Sequence, residues 1–298
     1  MRKFLIRFLV YLIPLPLYMG FIYIVDPYNF ADKSHLISYD IKLQIAEKMD
    51  PFLWKMLQYK HDTSHCIILG DSRANKIQSA HVTEITGNRY YNFSYPGGTL
   101  SDMIETFWIA DKIVDLKEVY IGVSFNLYNG FETNNHVKQA SAIMKNFFTY
   151  SFSKITFIST IKCIGKQFFS KKMTVGLPDM NKDEFWNYEL EEVATRYYQK
   201  YKYPDNYHEQ LIQIADYCHK KDIRLVFFMP PNHIDWQKRV ADFGLLKEQQ
   251  HFITDIGKLG PLYNMDTTNE FTKNKVNYLD PVHPVNDSIL LKVLWHVK

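Results

Sequence analysis

His65-Cys66-Ile67-Ile68-Leu69-Gly70-Asp71-Ser72-Arg73 is the stretch on which the fold turns. The run from Cys66 to Leu69 is apolar at every position and too short for a helix. Such a run reads as a strand buried on both faces, the habit of a parallel sheet. The chain leaves it through Gly70 and sets Asp71, Ser72 and Arg73 just beyond its carboxyl end. Further out the same signal recurs at 90–95 (YYNFSY), 118–123 (EVYIGV), 223–229 (IRLVFFM) and, more weakly, 261–266 (PLYNMD). Amphipathic segments lie between and after them, at 99–116 (TLSDMIETFWIADKIVDL), 206–222 (NYHEQLIQIADYCHKKD) and 285–298 (VNDSILLKVLWHVK). Strands alternating with helices predict a single three-layer α/β/α domain over 27–298 with a mostly parallel sheet. Ligands of such sheets bind at the carboxyl ends of the strands. Residues 34–60 read as helix with Pro51 as a break. Residues 131–200, aromatic and basic, do not fit the alternation and read as a helical insertion, either shaping a substrate groove or forming a packing layer.

Composition sets the outer bounds. The 298 residues are 46 % hydrophobic and 22 % charged, which excludes a disordered chain, a collagen-like chain and a polytopic membrane protein. A net charge of +3 gives no case for a nucleic-acid partner. Three cysteines, Cys66, Cys163 and Cys218, exclude a disulfide scaffold and form no C-x-x-C pair. Aromatic residues at 16 % suit a sugar or apolar ligand as well as a core.

Phe8 to Val25 (FLVYLIPLPLYMGFIYIV) carries no charge over 18 residues. Arg2, Lys3 and Arg7 precede the run and Asp26 follows it. This predicts one N-terminal transmembrane helix within residues 1–26, with a cytoplasmic N-terminus and the remaining chain periplasmic or extracellular. No A-x-A site follows the run, which favours an uncleaved anchor over a signal peptide.

Ser72 follows a buried strand at what reads as the start of a helix. Its hydroxyl then lies at the sheet's carboxyl edge, and its N–H lies near a positive helix end. That suits a nucleophile; the plainer alternative is an N-cap. Asp280-Pro281-Val282-His283-Pro284 lies shortly before the C-terminal helix. An Asp and a His three positions apart on a proline-stiffened turn can serve one serine. The imidazole takes the hydroxyl proton, and the carboxylate sets its tautomer. Arg73, beside the serine, and His233, after Pro230-Pro231-Asn232 at a strand end, are weaker candidates for touching substrate. The histidines show no H-x-x-H or H-E-x-x-H spacing, so neither a metal nor another cofactor is expected.

With these blocks the sequence resembles the SGNH (GDSL-type) hydrolase superfamily. Gly70-Asp71-Ser72-Arg73 matches its first block and Asp280-Pro281-Val282-His283 its last. The resemblance implies Ser72 as nucleophile, His283 as base and Asp280 as its orienter. It also implies an oxyanion hole formed by the N–H groups of Ser72 and Gly97, with the amide of Asn126. Gly98 is a near alternative to Gly97, and Ser124 an alternative to Asn126. The third block departs from the G-x-N-D pattern, being two residues longer and lacking the Asp.

A single N-terminal span before such a domain is similar to the DltD-like and AlgJ/AlgX-like O-acyltransferases. That resemblance implies a membrane-anchored enzyme passing an acyl group, of acetyl or D-alanyl type, through an acyl-serine onto a cell-envelope polysaccharide. Its partners would be a multispan acyltransferase of the MBOAT class and the glycan acceptor. The alternatives are an anchored carbohydrate or lipid esterase and a non-catalytic glycan-binding or assembly protein.

Overall fold

The computed structural model describes all residues except 2, 3, 5, 6, 9, 10, 34, 35, 170–179, 297 and 298. The chain forms two compact units. One joins Met1–Asp62 to Val137–Leu177; the other joins Thr63–His136 to Pro178–Lys298. Of the stretch 131–200 read as a helical insertion, 137–177 groups with the N-terminal segment, and 131–136 and 178–200 group with the α/β unit.

The α/β unit is built on five parallel strands: β1 (Cys66–Leu69), β2 (Tyr90–Asn92), β3 (Glu118–Gly122), β4 (Arg224–Met229) and β5 (Leu262–Asn264). Their order is β2-β1-β3-β4-β5. Side chains alternate between the two faces. On one face Ile68, Tyr120, Val226 and Phe228 pack with Val82 and with Leu290, Leu291 and Leu294 of the C-terminal helix Ser288–Trp295. Ile67, Val119 and Phe227 point the other way and are equally buried. Helix Leu100–Ile113 packs against β1 there, and helix Asp205–Lys220 against β4. Thr99 and Asp102 cap the first of these reciprocally, which fixes where the chain turns back after β2.

Gly70 is required where β1 ends, because a Cβ there would lie 2.5 Å from the Cβ of Ala74. Past β5, β6 (Tyr278–Asp280) and β7 (His283–Pro284) form a small antiparallel hairpin pairing Asp280 with His283.

The other unit is helical. Helix Pro14–Val25 packs on helices Phe147–Ser151 and Lys154–Phe169. Val25, Ile37, Ile45 and Cys163 form its apolar centre. The Asp26 carboxylate, fully buried, accepts the N–H groups of Phe30 and Ala31 and the hydroxyl of Tyr150. Among the described residues no helix is long and apolar enough to cross a membrane. The segment expected to do so is only partly described, since residues 2, 3, 5, 6, 9 and 10 fall outside.

Candidate functional site

The three residues far apart in sequence, Ser72, His283 and Asp280, are hydrogen-bonded in series in the α/β unit. Ser72 Oγ lies 2.7 Å from His283 Nε2. His283 Nδ1 lies 2.7 Å and 2.9 Å from the two oxygens of Asp280. A carboxylate can only accept, so Nδ1 carries the ring proton and Nε2 is left to accept from the serine. The hairpin explains how one short segment supplies both groups. Asp280 Oδ1 also takes the backbone N–H groups of Val282 and His283 at 3.0 Å each, an Asx turn with proline at its second position. Burial alone would raise the Asp280 carboxyl; the His283 ring and these two N–H groups outweigh it and hold it below its ordinary value.

Beyond Ser72 the backbone departs from the expectation. No α-helix starts there. A three-residue 3-10 turn, Ala74–Lys76, comes next, and the next α-helix begins only at Ser79. Asn75 N–H closes back on the Asp71 carbonyl at 2.9 Å. One tight turn has almost no aligned peptides, so a helix dipole contributes little at Ser72.

Ser72, Gly97, Asn126 and His283 line one cavity of about 160 Å³, with Glu189, Tyr197 and Trp236 among its other walls. Gly97 adopts φ +69°, a conformation that favours glycine. Among the described residues the N–H groups of Ser72 and Gly97 and the Asn126 Nδ2 have no hydrogen-bond partner. The alternatives are engaged elsewhere. Gly98 N–H donates to the Tyr95 carbonyl at 3.0 Å, and Ser124 Oγ accepts from the Arg73 guanidinium.

The two weaker candidates for touching substrate are both engaged within the protein. Arg73 lines the cavity beside Ser72, with its guanidinium turned to protein partners. It is 2 % exposed and spends its N–H groups on Asp71, Ser124, Asn232 (3.0 Å) and Asn126 (3.2 Å). Burial opposes its charge, but Asp71 more than compensates, so both groups are held ionised. Because Arg73 can only donate, the Asn126 oxygen must face it and Nδ2 must turn away. His233 does not line the cavity. Its Nδ1 accepts the Asp235 N–H as a helix cap and its Nε2 lies 3.3 Å from the Lys273 carbonyl. Its own N–H holds the Pro281 carbonyl at 2.8 Å. The residue braces the Asp280–His283 hairpin.

Two features of the site were not read from the sequence. Asn232 is held by Asp266 through its N–H (3.1 Å) and its amide (2.9 Å), which extends the Arg73 network to the end of β5. Glu189 faces the cavity from the helical stretch 182–198, on a π-helical turn, Glu189–Val193. Its carboxyl is pushed up to about 7 by burial and by the nearby Asp280 charge, against the pull of His283 and Arg73. The signal in the sequence was the spacing Glu189, Val193, Tyr197, one helix face with an acid among apolar and aromatic residues.

Among the described residues no three His, Cys, Asp or Glu side chains gather as a metal site. No protein-family model matches the chain, and neither does any curated protein.

Proposed function

We propose that this chain is a serine-dependent O-acyltransferase of the cell envelope, built on an SGNH-type α/β unit and held to the membrane by its N-terminal segment. The observation that carries the reading is the Ser72–His283–Asp280 series opening into a cavity with three unpaired N–H donors. In the first half-reaction Ser72 Oγ attacks an ester carbonyl while His283 Nε2 takes its proton. The carbonyl oxygen, now anionic, faces the N–H groups of Ser72 and Gly97 and the amide of Asn126. Each well-placed donor of this kind stabilises the transition state by about 3–4 kcal/mol. The tetrahedral species collapses, the His283 proton passes to the departing alcohol, and an acyl-serine remains. In the second half His283 deprotonates an acceptor hydroxyl, which attacks the acyl-serine and restores Ser72.

The cavity of about 160 Å³ leaves room beside Ser72 for an acyl group of acetyl or alanyl type. Tyr197, half-buried in the cavity wall, supplies an aromatic face of the kind on which sugars rest. The exposed apolar side chains of helix Pro14–Val25, including Leu17, Phe21 and Ile24, support the anchor and with it an extracytoplasmic site. An anchor would keep Ser72 near a membrane-embedded donor enzyme of the MBOAT class and raise the effective donor concentration. Esterase activity is the second reading, because the acyl-serine is common to both and water can enter a site of this kind.

An active-site fluorophosphonate tests the chemistry. Labelling at Ser72 that His283→Ala abolishes is expected; no labelling of the folded protein removes the enzyme reading. Incubation with an activated acyl ester, with and without oligosaccharide, then separates the two enzymes. Acylated sugar supports transfer, and free acid alone supports hydrolysis.

A further inference from the structure

The helix Lys154–Phe169 is inverted relative to a helix folded for water. Its buried face is Thr156, Ser159, Thr160 and Cys163, each fully buried. The hydroxyls find partners inside the unit: Ser159 Oγ pairs with Tyr28 OH at 2.9 Å, and Thr160 Oγ1 donates to the Thr156 carbonyl at 2.8 Å. Its open face carries Phe157, Ile161 and Phe168, 44 %, 49 % and 55 % exposed. Positions 157, 161 and 168 lie within about 40° of one another around a 3.6-residue helix. A helix facing water buries its apolar stripe. Small and hydroxylated residues inward with large apolar residues outward is the arrangement of helices whose surroundings are lipid.

The charge pattern of the same stretch is one-sided. From residue 133 to 178 the sequence contains seven lysines and neither Asp nor Glu. The apolar face also extends past one helix. Phe148 and Phe152 are exposed beside it, and the ring of Tyr18, from helix Pro14–Val25, lies 5.1 Å from Phe152 and 6.4 Å from Phe157. Sixteen residues of helix span about 24 Å, short of a hydrocarbon core of about 30 Å. The geometry suits a helix lying in the interface.

We propose that the exposed face of Lys154–Phe169, continued by Phe148 and Phe152, is a second membrane contact. It seats in the headgroup region of an anionic bilayer, with Lys154, Lys162 and Lys166 reaching the lipid phosphates. Apolar burial and cation attraction act together in such contacts. The inference rests on the membrane placement proposed above and is independent of the serine chemistry.

The test uses the full chain with Ile161→Cys, labelled with an environment-sensitive NBD fluorophore. The native thiols are buried, and burial pushes Cys66 up to about 11 and Cys163 and Cys218 up to about 12, so the introduced thiol is labelled selectively. The protein is reconstituted into phosphatidylcholine vesicles with and without one quarter phosphatidylglycerol. Flotation reads the N-terminal anchor, and iodide quenching reads the face. The expected result is flotation with both vesicles, with quenching roughly fivefold weaker in the anionic ones. Replacing Lys154, Lys162 and Lys166 with Gln should restore quenching without preventing flotation. A chain that floats while its label stays open to iodide in both vesicles overturns the inference, leaves the anchor standing and assigns this face to a protein partner. A chain that does not float overturns both. Phe157→Cys provides the same reading at a second position.

Discussion

At Asp280 a single carboxylate decides which nitrogen of His283 carries the proton. With Nδ1 held at 2.7 Å, Nε2 must be the acceptor toward Ser72. Asp280→Asn keeps the shape but offers an N–H to the same nitrogen, which favours the opposite tautomer. Turnover and the rate of Ser72 labelling should both fall by about 10⁴-fold. The substitution also has a pH signature. The folded-state carboxyl sits below its ordinary value, so its contribution to stability is fully present above about pH 4 and disappears as pH drops through the lower folded value. Urea midpoints of the Asp280→Asn variant should therefore change less between pH 5 and pH 2 than those of the parent. Arg73 acts one step further back. Arg73→Lys preserves the charge but replaces a planar five-donor group by a point donor that cannot serve Asp71, Ser124, Asn126 and Asn232 together. Freed from Arg73, the Asn126 amide can rotate away from the cavity. A loss of about 10²-fold in kcat with KM nearly constant is expected, as for a lost oxyanion donor. A rise in KM alone would instead make Arg73 a substrate contact.

At the scale of elements, the central strands were legible because each is a short, mostly buried apolar run, whereas the edge strands β2 and β5 are only partly buried. All five stretches read as strands are strands of the sheet. The neighbourhood of Ser72 was less legible. Ser, Asp and Arg are compatible with a helix start, and nothing local distinguishes that from the single tight turn found there. The partners of His233 and Arg73 were hidden for a related reason. A polar residue at a strand's carboxyl end looks free until its partners are known, and some of theirs arrive from positions 40 to 159 residues away. Glu189 was hidden within a segment whose helical pattern is interrupted by a π-turn, a feature frequent at functional sites. Its carboxyl holds a proton up to about pH 7 in the fold but only to about 4.3 in an unfolded chain. The folded state therefore binds more protons in that interval, and stability falls as pH climbs through it. Glu189→Gln removes the ionisation. In calorimetry the variant should match the parent near pH 4 and melt roughly 2–4 °C higher at pH 8, a shift discounted for the group's partial exposure.

At the scale of the molecule, the chain passes from the helical unit into the α/β unit, returns, and leaves again. The fold of the helical unit therefore depends on residues at the very start of the sequence. Ile22, Val25 and Asp26 are fully buried within it, and Asp26 ties residues 30 and 31 to Tyr150. This bears on how the N-terminal segment can be handled. Removing it at residue 26, as processing of a signal peptide would, takes out these three residues and leaves the Tyr150 hydroxyl and two N–H groups without their acceptor. Every residue that lines the Ser72 cavity belongs to the other unit. A chain beginning at Pro27 should accordingly behave as two proteins in one. Hydrogen exchange should show protection lost across 51–62 and 154–169 but retained in Cys66–Leu69 and Glu118–Gly122. The Ser72 labelling rate should remain within about twofold of the full chain, because no residue lining its cavity belongs to the unit that loses its N-terminal segment. If labelling collapses together with protection in the helical unit, the two units fold as one cooperative body. The N-terminal segment would then be a requirement of the chemistry itself as well as of placement.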